Sequence, residues 1–130
     1  MTITSYRDLD AWRLGMDLAE AVYKITKQFP AEERFGLSAQ LRRSAVGIPS
    51  NVAEGHQLGP RSYRRFVTIA LGCAAECETQ LELAHRTELV DRKTLKPVMQ
   101  LASRVAQVLH GLRRSLPRRE KNAKEKNERE

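Results

Sequence analysis

The chain has 130 residues, a formal net charge of +7 and a pI near 9.8, with two cysteines and three histidines. That length fits one domain, which buries roughly two-thirds of its unfolded surface and needs no covalent staples. No stretch approaches the ~20 apolar residues of a membrane span, and MTITSYRDLDAW lacks the basic-then-apolar pattern of a signal peptide, so a cytoplasmic protein is expected.

The first periodic segment carries Ala11, Leu14, Leu18, Ala21, Ile25 and Phe29 in steps of three and four, one helical stripe. Trp12, Met16, Ala19 and Tyr23 form a second stripe beside it. Ser5 or Asp8 is positioned to cap its start, and Phe29-Pro30 ends it. The second segment runs from about Glu32 through Leu37, Leu41, Ala45, Ile48 and Val52, with Gly55 suited to a left-handed terminal cap. The third, Arg61 to Arg86, repeats the pattern with Phe66, Ala70, Cys73, Cys77, Leu81 and Ala84. The fourth opens at Asp91, an N-cap residue, and places Leu95, Val98, Ala102, Val105, Leu109, Leu112 and Leu116 in heptad spacing before Pro117.

Long helices with short connections predict an all-α, up-down-up-down antiparallel four-helix bundle over residues 1–116. Residues 117–130 lose periodicity and are Lys/Glu/Asn-rich, the composition of a disordered tail. The tail holds six Lys/Arg and four Asp/Glu, leaving +5 on the bundle. The doubled stripe of the first helix is wider than one core needs and points to self-association; half-burial on a monomer is the competing account.

Pro49 stands inside the second segment, where it removes the N–H that would bond the carbonyl of Ala45 and predicts a kink. Gly47 permits a bend there, and Ser50 and Asn51 offer short polar groups to backbone left open.

Catalytic patterns are sparse. A di-metal bundle site needs a Glu-x-x-His on each of two helices plus two further glutamates. Glu82-Leu83-Ala84-His85 matches once, whereas His56 and His110 follow Ala53 and Gln107 at the required position. Cys73 and Cys77 share a helical face without a further ligand set, so they are read as small core side chains in a reducing compartment. There is no phosphate-binding glycine loop and no G-x-S-x-G turn. No metal, cofactor or catalytic residue is assigned, and an enzyme is not expected.

The basic residues suggest more. Arg42 and Arg43 lie on the second helix, and Arg61, Arg64 and Arg65 open the third. Arginine groups with few aromatics suit phosphate-backbone contact. For Arg42, Arg61 and Arg64 this role weighs evenly against internal pairing. Arg43 and Arg65 are read first as ion-pair partners of Glu54 or Glu76, within the bundle or between subunits.

The segments DLDAWRLGMDLAEAVYKITKQFP, GLSAQLRRSAVGIPSNVAEGH and SYRRFVTIALGCAAECETQL resemble the four-helix-bundle family encoded in intervening sequences of bacterial 23S ribosomal RNA genes. The resemblance spans residues 6–116. It rests on Leu37, Gln40, Arg43, the run Ile48-Pro49-Ser50-Asn51, Ala53-Glu54-Gly55, Phe66, Ala70, Glu76 and Leu81. Gly47 departs from the serine more usual in the family. The resemblance implies a homopentamer around a central channel. It also implies kinship with the accessory subunit of diversity-generating retroelements, a similar bundle that binds a reverse transcriptase and nucleic acid. The expected function is a non-enzymatic oligomer that binds RNA or other nucleic acid; the alternative is an adaptor for a protein such as a reverse transcriptase.

Overall fold

A computed structural model describes residues 5–118 of the chain. Four helices follow one another, α1 (Asp10–Thr26), α2 (Leu37–Leu58), α3 (Pro60–Arg86) and α4 (Arg92–Ser115), with 3₁₀ turns at Tyr6–Asp8 and Ala31–Glu33. Each helix packs on its sequence neighbours, and α1 also packs on α4, which closes the antiparallel four-helix bundle. Leu18 and Val22 of α1, Leu41, Ile48 and Val52 of α2, Val67 and Leu81 of α3, and Val105 and Leu109 of α4 are fully buried. These are the positions at helical spacing, each contributing about 1.5–3 kcal/mol on leaving water.

The helix ends differ from expectation in instructive ways. Ser5 and Asp8 form a reciprocal capping box on the 3₁₀ turn, while α1 itself begins after Leu9 without a side-chain cap. It ends at Thr26, before Phe29-Pro30, and Phe29 beyond it is buried. Residues 31–33 are a separate turn, and α2 starts at Leu37, whose N–H bonds the Glu33 carboxylate at 3.2 Å. Asp91 caps α4 as predicted, accepting from the Thr94 N–H at 2.7 Å, and that bond holds its carboxyl below the usual carboxylate range.

Gly55 does not end α2. It is buried within the helix, and a Cβ built on it would stand 2.7 Å from the Phe66 Cβ, so its small size lets α2 and α3 approach. Gly47 serves the same close packing, its built Cβ lying 2.9 Å from the Cys73 Sγ. The terminating glycine is Gly59, at φ 98° and ψ −179°, a region open essentially to glycine alone. It is the whole connection between α2 and α3, and Pro60 follows at the first helical position, where a missing N–H costs nothing.

Pro49 lies inside α2, which continues unbroken to Leu58. Its buried ring faces α1 at Gly15, where an added Cβ would meet Pro49 Cδ at 3.3 Å and Ile48 Cγ2 at 3.2 Å. Asn51 donates to the carbonyl of Gly47 at 2.7 Å, so it does not serve the Ala45 carbonyl that Pro49 leaves open, and Ser50 is exposed. A second internal proline, Pro97, sits within α4. The α3–α4 turn closes by the paired bonds of a Schellman motif, Leu89 N–H to Ala84 carbonyl (2.8 Å) and Glu88 N–H to His85 carbonyl (3.0 Å). Glu88 occupies the left-handed position at φ 64°, where glycine is usual. The tail expected from residue 117 falls, beyond Arg118, outside the described residues.

Candidate nucleic-acid interface and apolar groove

The five arginines singled out by sequence separate into distinct roles. Arg42 is internal: its Nε donates to the Thr26 hydroxyl at 2.9 Å, and its guanidinium lies 4.6 Å from the Tyr23 ring centroid. Thr26 is buried and bonds the Val22 carbonyl, so Arg42 ties α2 to the end of α1. Arg64 is also engaged, donating from Nη1 to the carbonyls of Arg113 (2.6 Å) and Leu116 (3.0 Å). The Arg113 carbonyl also accepts the Leu116 N–H at 3.1 Å, so Arg64 is a second donor there. It also serves the Leu116 carbonyl past the helix end and opposes the negative end of the α4 dipole. Arg43, Arg61 and Arg65 are exposed.

The two arginine groups do not sit together. Ser44 is level with Gln80 through a 2.7 Å hydrogen bond, Gly47 with Cys73, and Gly55 with Phe66. Arg43 and Arg65 are therefore about twelve residues apart along the hairpin, roughly 18 Å at 1.5 Å per residue. Neighbouring helices do not imply neighbouring residues when the chain reverses between them. Nor do Arg43 and Arg65 pair with Glu54 or Glu76 inside the chain. Among the described residues the ion pairs are Arg13–Asp8 at 3.9 Å and Arg86–Glu82 at 3.2 Å.

A stronger basic surface lies on α4. From Arg92 to Arg118 the chain carries Arg92, Lys93, Lys96, Arg104, Arg113, Arg114 and Arg118 and no acidic residue. Arg64 bonds the carboxyl end of α4, which brings Arg113, Arg114 and Arg118 to the end of the bundle where Arg61 and Arg65 begin α3. A one-signed run of this kind raises the local positive potential and attracts polyanions. The signal was present in the sequence as an acid-free run, hidden when charge is summed over the whole body.

Of the remaining motif residues, Gln40, Glu54 and Glu76 are exposed, Asn51 bonds within α2, and Pro49 and Gly55 are packing positions. The doubled stripe of α1 resolves into a groove of about 430 Å³ between α1 and α2. Its lining is almost wholly apolar and includes Trp12, Met16, Tyr23, Val46, Pro49 and Ala53, with Glu20 and Ser50 as its polar members. Met16, Tyr23 and Val46 are 45, 41 and 39% exposed, whereas Ala19 of the same stripe is buried. The close approach of Gly15 to Pro49 forms its floor, and Arg42 stacked on Tyr23 braces one wall.

Cys77 is buried and its thiol is pushed up to about 11, burial being the main cause. Cys73 is half-buried and shifted upward by burial and by the nearby Glu76 charge. These are packing thiols without the electropositive surroundings of a reactive one. The Glu82-x-x-His85 match is committed elsewhere: Glu82 bonds Arg86, and His85 Nδ1 is 3.2 Å from the Val90 carbonyl, which only an N–H can satisfy. Among the described residues no group of three or more His, Cys, Asp or Glu is placed to hold a metal ion, and no helix is long and apolar enough to cross a membrane.

Comparisons with known proteins agree with this architecture. Among solved structures the chain is similar to a protein of unknown function from the S23 ribosomal protein family of Bacteroides thetaiotaomicron VPI-5482. The two are 25% identical with a TM-score of 0.72, over 78% of this chain and 96% of the other. A search of curated proteins finds no match. The family model described as 23S rRNA-intervening sequence protein matches residues 7–111, nearly the whole bundle, and the chain belongs to that family.

Proposed function

We propose that this protein is a non-catalytic homo-oligomeric scaffold, pentameric in the form its family resemblance implies, that holds RNA or another nucleic acid on the basic face of α4 and the adjoining start of α3. The observation that carries this reading is the acid-free run from Arg92 to Arg118, joined through Arg64 to the arginines opening α3. Guanidinium groups without interleaved aromatics favour phosphate contact over base readout, so binding is sequence-tolerant. Repetition of the surface around an oligomer adds avidity without enlarging the site on each copy.

Fluorescence anisotropy with labelled single- and double-stranded RNA, titrated between about 50 and 200 mM salt, tests the reading. Binding should fall steeply with salt, and Arg61→Gln, Arg113→Gln and Arg114→Gln combined should flatten the log–log slope by roughly 0.7–0.9 for each phosphate no longer neutralised. Absence of binding at low salt, or an unchanged slope in the triple variant, overturns it. Capture of a protein partner that survives nuclease treatment, with no direct RNA retention, would support the adaptor reading instead.

A further inference from the structure

The α1/α2 groove is apolar and open to solvent, and the charge pattern of the α2–α3 hairpin bears on what fits it. On α3, Arg65, Ile69, Gly72, Glu76, Thr79 and Leu83 recur at steps of four and three, and all six are exposed. They form the outermost edge of the helix, opposite its buried face of Val67, Ala70, Ala74, Cys77, Leu81 and Ala84. Ile69 and Leu83 are 41 and 48% exposed, and a Cβ built on Gly72 meets nothing within 4 Å. The edge thus presents Ile69 and Leu83 on either side of a notch at Gly72, with Arg65 and Glu76 among them, facing outward as the partly exposed Met16, Tyr23 and Val46 of the groove do.

The heights match. Gly15 is level with Pro49, and Gly47 with Cys73, so Met16 in the groove stands at the height of Gly72. By the same register Arg43 is level with Glu76, and Glu54 with Arg65, within about one helical turn. All four are exposed and make no ion pair with one another inside the chain. Copies related by rotation about an axis parallel to the bundle keep their heights. The α2 rim of one then meets the α3 edge of the next with Arg43 against Glu76 and Glu54 against Arg65. A two-fold that inverts one copy would instead set Arg43 against Arg65 and Glu54 against Glu76, two like-charge encounters.

We infer that a second copy of this chain seats the outer edge of its α3 in the α1/α2 groove, head to tail and at equal height, with Arg43–Glu76 and Glu54–Arg65 as cross-subunit ion pairs. This deepens the homo-oligomeric part of the proposed function and rests on it. A heterologous interface of this kind closes into a ring when the rotation divides the circle. It also assigns Arg43 and Arg65 to assembly, leaving Arg61 and the α4 cations for the polyanion.

Sedimentation velocity and native mass spectrometry of the full chain test the inference, with circular dichroism confirming that each variant is folded. Arg43→Glu and Glu76→Arg should each weaken self-association by roughly tenfold or more, since like charges then face each other. Mixing the two singly reversed chains should restore association between unlike chains, because the Glu on one α2 meets the Arg on the next α3. The doubly reversed chain, alike at every junction, should rebuild the full ring even when its number of copies is odd. Gly72→Arg, which enters open space in the isolated chain, should leave the fold intact and abolish assembly. Wild-type protein that is monomeric throughout overturns the oligomeric reading and this interface together. Wild-type assembly that tolerates the reversals or Gly72→Arg overturns the interface alone. Rescue by the doubly reversed chain with no association at all between the two singly reversed chains places the pair within one chain and also overturns it.

Discussion

Gly55→Ala adds one methyl group where α2 crosses α3. Its Cβ would lie 2.7 Å from the Phe66 Cβ and 3.4 Å from the Tyr63 Cα. Carbon atoms prefer about 3.5–4.0 Å, and both obstacles are anchored to the α3 backbone, so the helices must part by roughly 1 Å. Overpacking of this kind costs about 1–3 kcal/mol. Replacing a mid-helix glycine by alanine returns about 1 kcal/mol in helix propensity. The net expectation is a destabilisation centred on about 1 kcal/mol and reaching about 2 kcal/mol. Gly111→Ala is the control: its nearest neighbour is the movable Arg114 Nη2 at 3.7 Å, so the propensity gain of roughly 0.5–1 kcal/mol survives. Urea unfolding followed by circular dichroism, extrapolated linearly, measures both. Protein concentration must be fixed, because assembly adds a mass-action term. A Gly55→Ala protein as stable as wild type, or more so, would refute the close-approach account.

Three further outcomes follow from the same physics. Glu88→Gly should stabilise the chain by about 1 kcal/mol in the same urea assay, because it relieves a non-glycine residue at φ 64°. Arg64→Gln should speed amide exchange in the last turn of α4, where the Arg113 and Leu116 carbonyls are left without their guanidinium donor, and leave the first turn capped by Asp91 unchanged. Cys77 has a folded pKa raised to about 11, so its contribution to stability is complete below the unfolded thiol value near 8.5 and disappears as pH rises toward 11. Wild-type stability should therefore fall more steeply with pH across that window than that of Cys77→Ala, as measured by urea midpoints; parallel curves would contradict it.

The bundle was legible because apolar spacing reports burial directly, and Leu95 to Leu109 needed no knowledge of their neighbours. Local chemistry was legible too, as at Asp91. What could not be read were neighbours set by rotation about a helix axis. Gly55 fits the rule that glycine ends helices, and only the position of Phe66 shows that it admits a neighbouring backbone instead. Arg64 reads as a free cation until the end of α4 is placed beside it. Arg42 and Arg43 are adjacent in sequence yet divide into an inward strut and an outward charge, a difference of about 100° around α2. Pro97 leaves no mark on the pattern, because the apolar step from Leu95 to Val98 passes over it without a break.

The single residue joining α2 to α3 decides whether this sequence makes a bundle at all. Were Gly59 helical, α2 and α3 would fuse into one continuous rod of about 50 residues, roughly 75 Å long. Its halves could then find partners only on another molecule, the route by which strained short hinges lead to exchanged domains. Gly59 turns the chain and Pro60 discourages helix at the position before it, so two residues hold the molecule back from a filament-like alternative.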